Sequence, residues 1–209
     1  MIRSFLFEEF ASDMPTPRVL LLTVLVLAAA FSRLVPHLHN FAPVAAVALF
    51  AAAYLPNRRW SVLLPLIAMC LSDVVLYATK DVAYRDQAIS NILFVYPAYA
   101  IVALIGQWLR SRVTTGRIVS AALAGSVAFF LITNFGSWLA LSQPLSDTEP
   151  ALYARTFGGL LNSYIAGVPF FRGTFFGDVI YTAVLFGGFA LLERTVPQFR
   201  PQLVPTTAR

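Results

Sequence analysis

What most constrains this chain is a set of apolar runs too long and too continuous for a soluble domain. One covers residues 19–35 and another residues 118–141. About 20 mostly apolar residues in a helix cross the hydrocarbon core of a bilayer. Backbone polar groups there must be satisfied internally, which leaves helices or closed barrels. Barrel strands alternate apolar and polar residues, and these runs do not. Composition agrees, with 58% hydrophobic and 12% charged residues, where a soluble domain carries about 25% charged. The expected fold is an all-α integral membrane protein, a single transmembrane domain over residues 1–209 with no room for a second, soluble domain.

Six spans are predicted in one bundle: residues 19–35, 43–55, 60–78, 89–109, 118–141 and 174–192. The second is short and alanine-rich, suited to close packing because small residues let helices approach. Pro97 interrupts the fourth. In the long connection 142–173, Phe157, Leu160, Leu161, Tyr164 and Ile165 share one helical face. That segment is too short and polar to span, so an amphipathic helix on the outer surface is expected before helix six. Residues 1–18 hold Glu8, Glu9, Asp13 and two prolines, which is unlike a cleavable leader, so the first apolar span serves as the targeting signal. No internal repeat is visible, so the inverted-repeat plan of many transporters is not expected.

Orientation follows from lysine and arginine. With both termini cytoplasmic, the N-terminal segment 1–18, the tail 193–209 and the tight inner loops hold Arg3, Arg18, Arg58, Arg59, Arg110, Arg112, Arg117, Arg194, Arg200 and Arg209. The outer side holds Arg33, Lys80, Arg85, Arg155 and Arg172. The net charge of +5 does not point to nucleic acid, because the arginines sit in short clusters between spans rather than along one face. The long connections all lie on the outer side, and that is where binding machinery is expected.

The chemically loaded stretch is residues 65–76. It holds the sole cysteine, Cys70, and Asp73 three residues on, which share a helical face. A lone buried cysteine is either a small packing residue or a soft metal ligand. No second cysteine or nearby histidine completes a zinc site, so a metal would have to arrive in an organic ring and need one axial ligand. Asp73 and Asp178 are the acids within spans, and intramembrane ionisable groups are functional candidates. They are pinned by partners such as Arg33 or Arg172, or face one cavity, or form the pair of an intramembrane aspartyl enzyme. No serine elbow or HExxH metal motif is present. Asn40 with His37 and His39, Asn91 with Tyr96, Asn134 with Ser137 and Trp138, and Asn162 with Tyr164 all fall on the outer side. Together they describe a site for a large ligand that is both polar and apolar; singly, the aromatics fit an ordinary interfacial belt.

The segments Asn40-Phe41-Ala42-Pro43-Val44-Ala45-Ala46-Val47-Ala48-Leu49-Phe50, Leu71-Ser72-Asp73, Thr133-Asn134-Phe135-Gly136 and Pro169-Phe170-Phe171-Arg172-Gly173-Thr174 carry a resemblance. With six helices and basic inner loops, the chain resembles the substrate-binding S components of energy-coupling factor (ECF) vitamin transporters, and among them the solitary cobalamin transporters. The resemblance implies vitamin uptake across the bacterial inner membrane. It implies cobalamin held in an outward-facing cavity with Cys70 as axial ligand to the cobalt, and ligand-removal chemistry on it is conceivable. The residues expected to line that cavity, from the polar and aromatic groups above, are Asp73, Asn40, Asn91, Tyr96, Asn134, Trp138, Asn162, Tyr164, Arg172 and Asp178. The partners are the vitamin, the bilayer and either an ECF ATPase module or none, since the chain has no GxxxxGK(S/T) loop of its own. The alternatives are an S-type protein for another vitamin with Cys70 structural, an intramembrane aspartyl enzyme, and an assembly subunit without ligand.

Overall fold

The computed structural model describes residues 16–35, 43–79, 82–144 and 150–200. Every regular element in them is helical. Helix α1 is Pro17–Phe31, followed by a 3-10 turn Ser32–Leu34; α2 is Val44–Tyr54; α3 is Trp60–Thr79; α4 is Val82–Gln107, closed by a 3-10 turn Trp108–Ser111. Helix α5 is Thr115–Leu141, and α6 is Phe157–Thr182, which passes through a π-helical turn, Ala183–Gly187, into α7, Gly188–Thr195. Five helical stretches are long and apolar enough to cross a membrane: Pro17–Leu34, Trp60–Thr79, Asn91–Ser111, Thr115–Leu141 and Phe157–Thr195. The second predicted span is different. At 11 residues and about 1.5 Å per residue, α2 reaches only about half of a roughly 30 Å core.

That short helix is the hub. It packs on all five longer helical stretches, and each residue from Ala45 to Ala52 is at most 1% exposed. Its five alanines between 45 and 52 permit this, since small side chains let neighbouring backbones close in. Gly106 of α4 completes the fit: a Cβ there would lie 2.8 Å from Ala52 Cβ and 2.9 Å from Leu49 Cα. Phe50 anchors the hub edge-on among Tyr54, Phe186 and Phe189, with ring centroids 5.1 to 5.6 Å away. The helix ends against Arg110, whose guanidinium donates to the carbonyls of Ala52, Leu55 and Pro56 at 3.0, 2.7 and 2.6 Å. A cation there satisfies the orphan carbonyls of the last turn.

Two expectations are corrected. The amphipathic helix and the sixth span are one continuous helical run, Phe157–Thr195, with no separate surface-lying helix before it among the described residues. The segment is polar because it carries a small-residue stripe, Gly159, Ser163 and Gly167, which is buried while α6 packs on α5. Ser163 donates to the Asn134 carbonyl at 3.2 Å and Tyr164 to the Leu131 carbonyl at 3.1 Å. Pro97 likewise fails to interrupt the fourth span, as α4 continues through it. Losing one internal hydrogen bond is tolerated where neighbouring helices hold the backbone.

Arg18, near the start of α1, is ion-paired to Glu193 of α7 and donates to the Phe199 carbonyl at 2.6 Å. The first and last described helices therefore meet at one end. Arg110 and Arg117 lie at the tight α4–α5 turn of that same end, with Arg117 stacked 4.0 Å over the Trp108 ring.

Candidate functional site

Halving α2 creates a problem inside the membrane. Its first turn carries N–H groups without intrahelical partners, at a depth where each unmet group is costly. Asp178, 1% exposed on α6, solves it. One carboxylate oxygen accepts from the backbone of Ala45 at 2.8 Å and Ala46 at 3.4 Å. The other accepts from the Ser126 hydroxyl of α5 at 2.9 Å. The positive end of the helix dipole favours an anion there. Asp178 thus joins α2, α5 and α6 through a single side chain.

Asp73 is held as fully. Arg33, on the 3-10 turn after α1, pairs with one oxygen at 2.8 Å, and the Tyr96 hydroxyl of α4 donates to the other at 2.8 Å. Arg33 also reaches Met69 Sδ at 3.1 Å, and Ser32 on the same turn meets the Tyr181 hydroxyl at 2.9 Å. Both oxygens of each acid thus have hydrogen-bond or ion-pair partners within the bundle.

Cys70 shares a face of α3 with Asp73 but differs from it in burial. Asp73, Ser72 and Met69 are buried, while Cys70 is exposed on the surface strip of α3 that bears Leu63, Ile67, Leu71 and Val74. Its thiol lies beside the Tyr96 hydroxyl.

At the end opposite the chain termini, α4, α5 and α6 bring several predicted residues together. The Asn91 side-chain carbonyl accepts from Ser137 at 3.2 Å. The Trp138 indole donates to the Ala154 carbonyl at 3.1 Å. The Asn134 carboxamide donates to the Phe130 carbonyl at 2.9 Å and lies where a side chain on Gly167 would stand. Phe94, Phe135, Trp138 and, separately, Phe130, Tyr164 and Phe171 form aromatic contacts around these amides. Asn162 and Arg172 are exposed on α6 and do not join. Asn40, with His37 and His39, lies outside the described residues.

A feature absent from the sequence-based expectations lies toward the opposite end. Below the Ser126–Asp178 contact, α5 and the α6–α7 run bound a half-open groove of about 1450 Å³. Ile118, Val119, Ala122 and Leu123 form one wall and Val179, Ala183, Phe186 and Ala190 the other. Ser126, Asp178 and Thr182 close its deep end; Arg18, Glu193, Arg194 and Arg200 line its mouth. The only sequence signal for it was small residues, Ala121 to Gly125 and Gly187-Gly188, which also serve ordinary packing. Among the described residues, no group of three or more His, Cys, Asp or Glu side chains is arranged to hold a metal ion.

These features define a multi-pass helical membrane bundle built on a half-length central helix. The chain belongs to a family of unknown function (DUF6580), whose model matches residues 14–200. No curated protein and no solved structure matches it.

Proposed function

We propose that the protein is the membrane-embedded binding subunit of a small-molecule uptake system, of the S-component kind, with both termini cytoplasmic in the bacterial inner membrane. One observation carries this proposal: the hydrogen-bonding and aromatic convergence of Asn91, Asn134, Ser137, Trp138 and Tyr164 at the end opposite the termini. Convergent uncharged polar groups among aromatic walls suit a ligand of mixed polarity, and vitamins are such ligands. The engaged state of Asp73 and Asp178 favours this over an intramembrane aspartyl enzyme. Cobalamin is the first candidate. Cobalt ligation by Cys70 requires the corrin to sit against the exposed face of α3 beside Tyr96, away from the amide cluster.

The visible absorption spectrum of the purified protein mixed with cobalamin tests this, run on wild type and Cys70→Ser and backed by thermal-shift measurements with other vitamins. A corrin band shift lost in Cys70→Ser supports cobalamin and the thiolate ligand together. Binding independent of Cys70 keeps cobalamin and discards the ligand. A thermal shift with another vitamin alone keeps the uptake role and discards cobalamin. No interaction with any vitamin overturns the proposal.

A further inference from the structure

The groove between α5 and the α6–α7 run is unlike a site for a small polar solute. Its volume, about 1450 Å³, exceeds the roughly 300–1,000 Å³ of ordinary small-molecule pockets. Its walls are aliphatic and aromatic along their length, and polar groups appear only at the two ends. At about 1.5 Å per residue, the twelve steps from Thr182 to Arg194 span about 18 Å. That is close to one leaflet of a roughly 30 Å hydrocarbon core.

Charge at the mouth selects the occupant. Glu193 is neutralised by Arg18, and Asp178 is engaged at the far end. Arg194 and Arg200 are exposed and have no acidic partner among the described residues. Helix α5 begins at Thr115, with Thr114 and Thr115 at the same mouth, and α7 ends there, where Arg200 donates to the Glu193 and Arg194 carbonyls at 3.2 and 3.1 Å and so offsets the negative end of that helix. Arginines at a membrane surface attract anionic lipid headgroups. Ser126, Asp178 and Thr182 form a polar stop where the apolar trough ends.

We infer that this groove is a specific site for an anionic phospholipid of the surrounding bilayer, with the phosphate at Arg194 and Arg200 and an acyl chain lying along Ile118, Ala122, Val179 and Phe186. The inference is independent of what the protein transports. The lipid closes the gap where α5 departs from α7, so the bound form is the better packed one.

Native mass spectrometry of the full chain, released from detergent containing phosphatidylglycerol or phosphatidylcholine, tests it. Gly187→Leu with Ala190→Leu plugs the trough; a Cβ at Gly187 meets open space, and helical circular dichroism and the melting temperature check that the variant keeps the fold. Arg194→Ala with Arg200→Ala removes the headgroup contacts in a second variant. The expected result is one retained phosphatidylglycerol, lost in the plugged variant and weakened roughly thirtyfold in the arginine variant. Equal retention of both lipids by wild type overturns the site. So does retention unchanged by the plug, or a protein dimer that the plug abolishes while lipid retention stays at zero.

Discussion

At the scale of single residues, the acids inside the bundle are explained by the backbone and cation they serve. Asp178 holds the start of α2, so Asp178→Ala leaves buried donors on Ala45 and Ser126 unpaired. Each such loss costs about 1–3 kcal/mol, and thermal unfolding in detergent should show a clear drop. Asp178→Asn keeps one acceptor and should fall between wild type and alanine. Arg33 and Asp73 form a buried pair, in which removing one partner costs about 3–5 kcal/mol. Arg33→Met and Asp73→Leu should each destabilise strongly, and the double variant by less than the sum. An additive result would show that the pair is not coupled. The sequence offered Arg33 and Arg172 alike as partners for the acids, and only the fold shows that Arg33, near the end of the first span, is the one that meets Asp73. The role of Asp178 was not legible, because nothing local in residues 174–192 shows which backbone groups it meets. The clue lay elsewhere, in a second apolar run of 13 residues, too short to cross alone. Cys70 shows the limit of spacing arguments: three residues from Asp73 on one helix, it still falls on the exposed side.

Elements are decided by how closely backbones approach. Gly106 lets α4 touch α2, and a Cβ there meets backbone at Leu49 rather than the end of a flexible side chain. Gly106→Ala should therefore cost about 1–3 kcal/mol as overpacking; an unchanged melting temperature would mean that α2 and α4 are further apart. The same logic explains why residues 157–173 read as a surface helix. Gly159, Ser163 and Gly167 look polar or weak in a hydropathy count, yet at intervals of four they make a buried stripe, Ser163 and Gly167 against Asn134 of α5 and Gly159 against the Ala154 backbone. Hydrogen exchange in detergent tests this: amides of residues 163–173 should be protected like those of residues 176–182, whereas fast exchange there would restore a separate surface helix. Spans one, three, four and five were legible to within a few residues, because length and continuous hydrophobicity define a membrane helix almost alone.

In the whole molecule, the two ends of the bundle divide the work. The basic end joins α1 to α7 through Arg18 and Glu193 and carries the groove mouth. The opposite end holds the amides and aromatics of α4, α5 and α6. The outer-side expectation named most of that second cluster, including Asn91, Asn134, Trp138 and Tyr164, but not the groove. A gap between two helices depends on their crossing geometry, which sequence periodicity does not encode. The central functional claim is that the amide-rich end captures a vitamin. The most direct measurement is uptake of labelled vitamins, cobalamin among them, by cells expressing wild type or Asn91→Ala with Asn134→Ala at equal protein levels. Saturable uptake of one vitamin by wild type and its loss in the double variant are the expected result. Uptake no greater than in cells lacking the protein, or uptake that the double variant leaves intact, would contradict it.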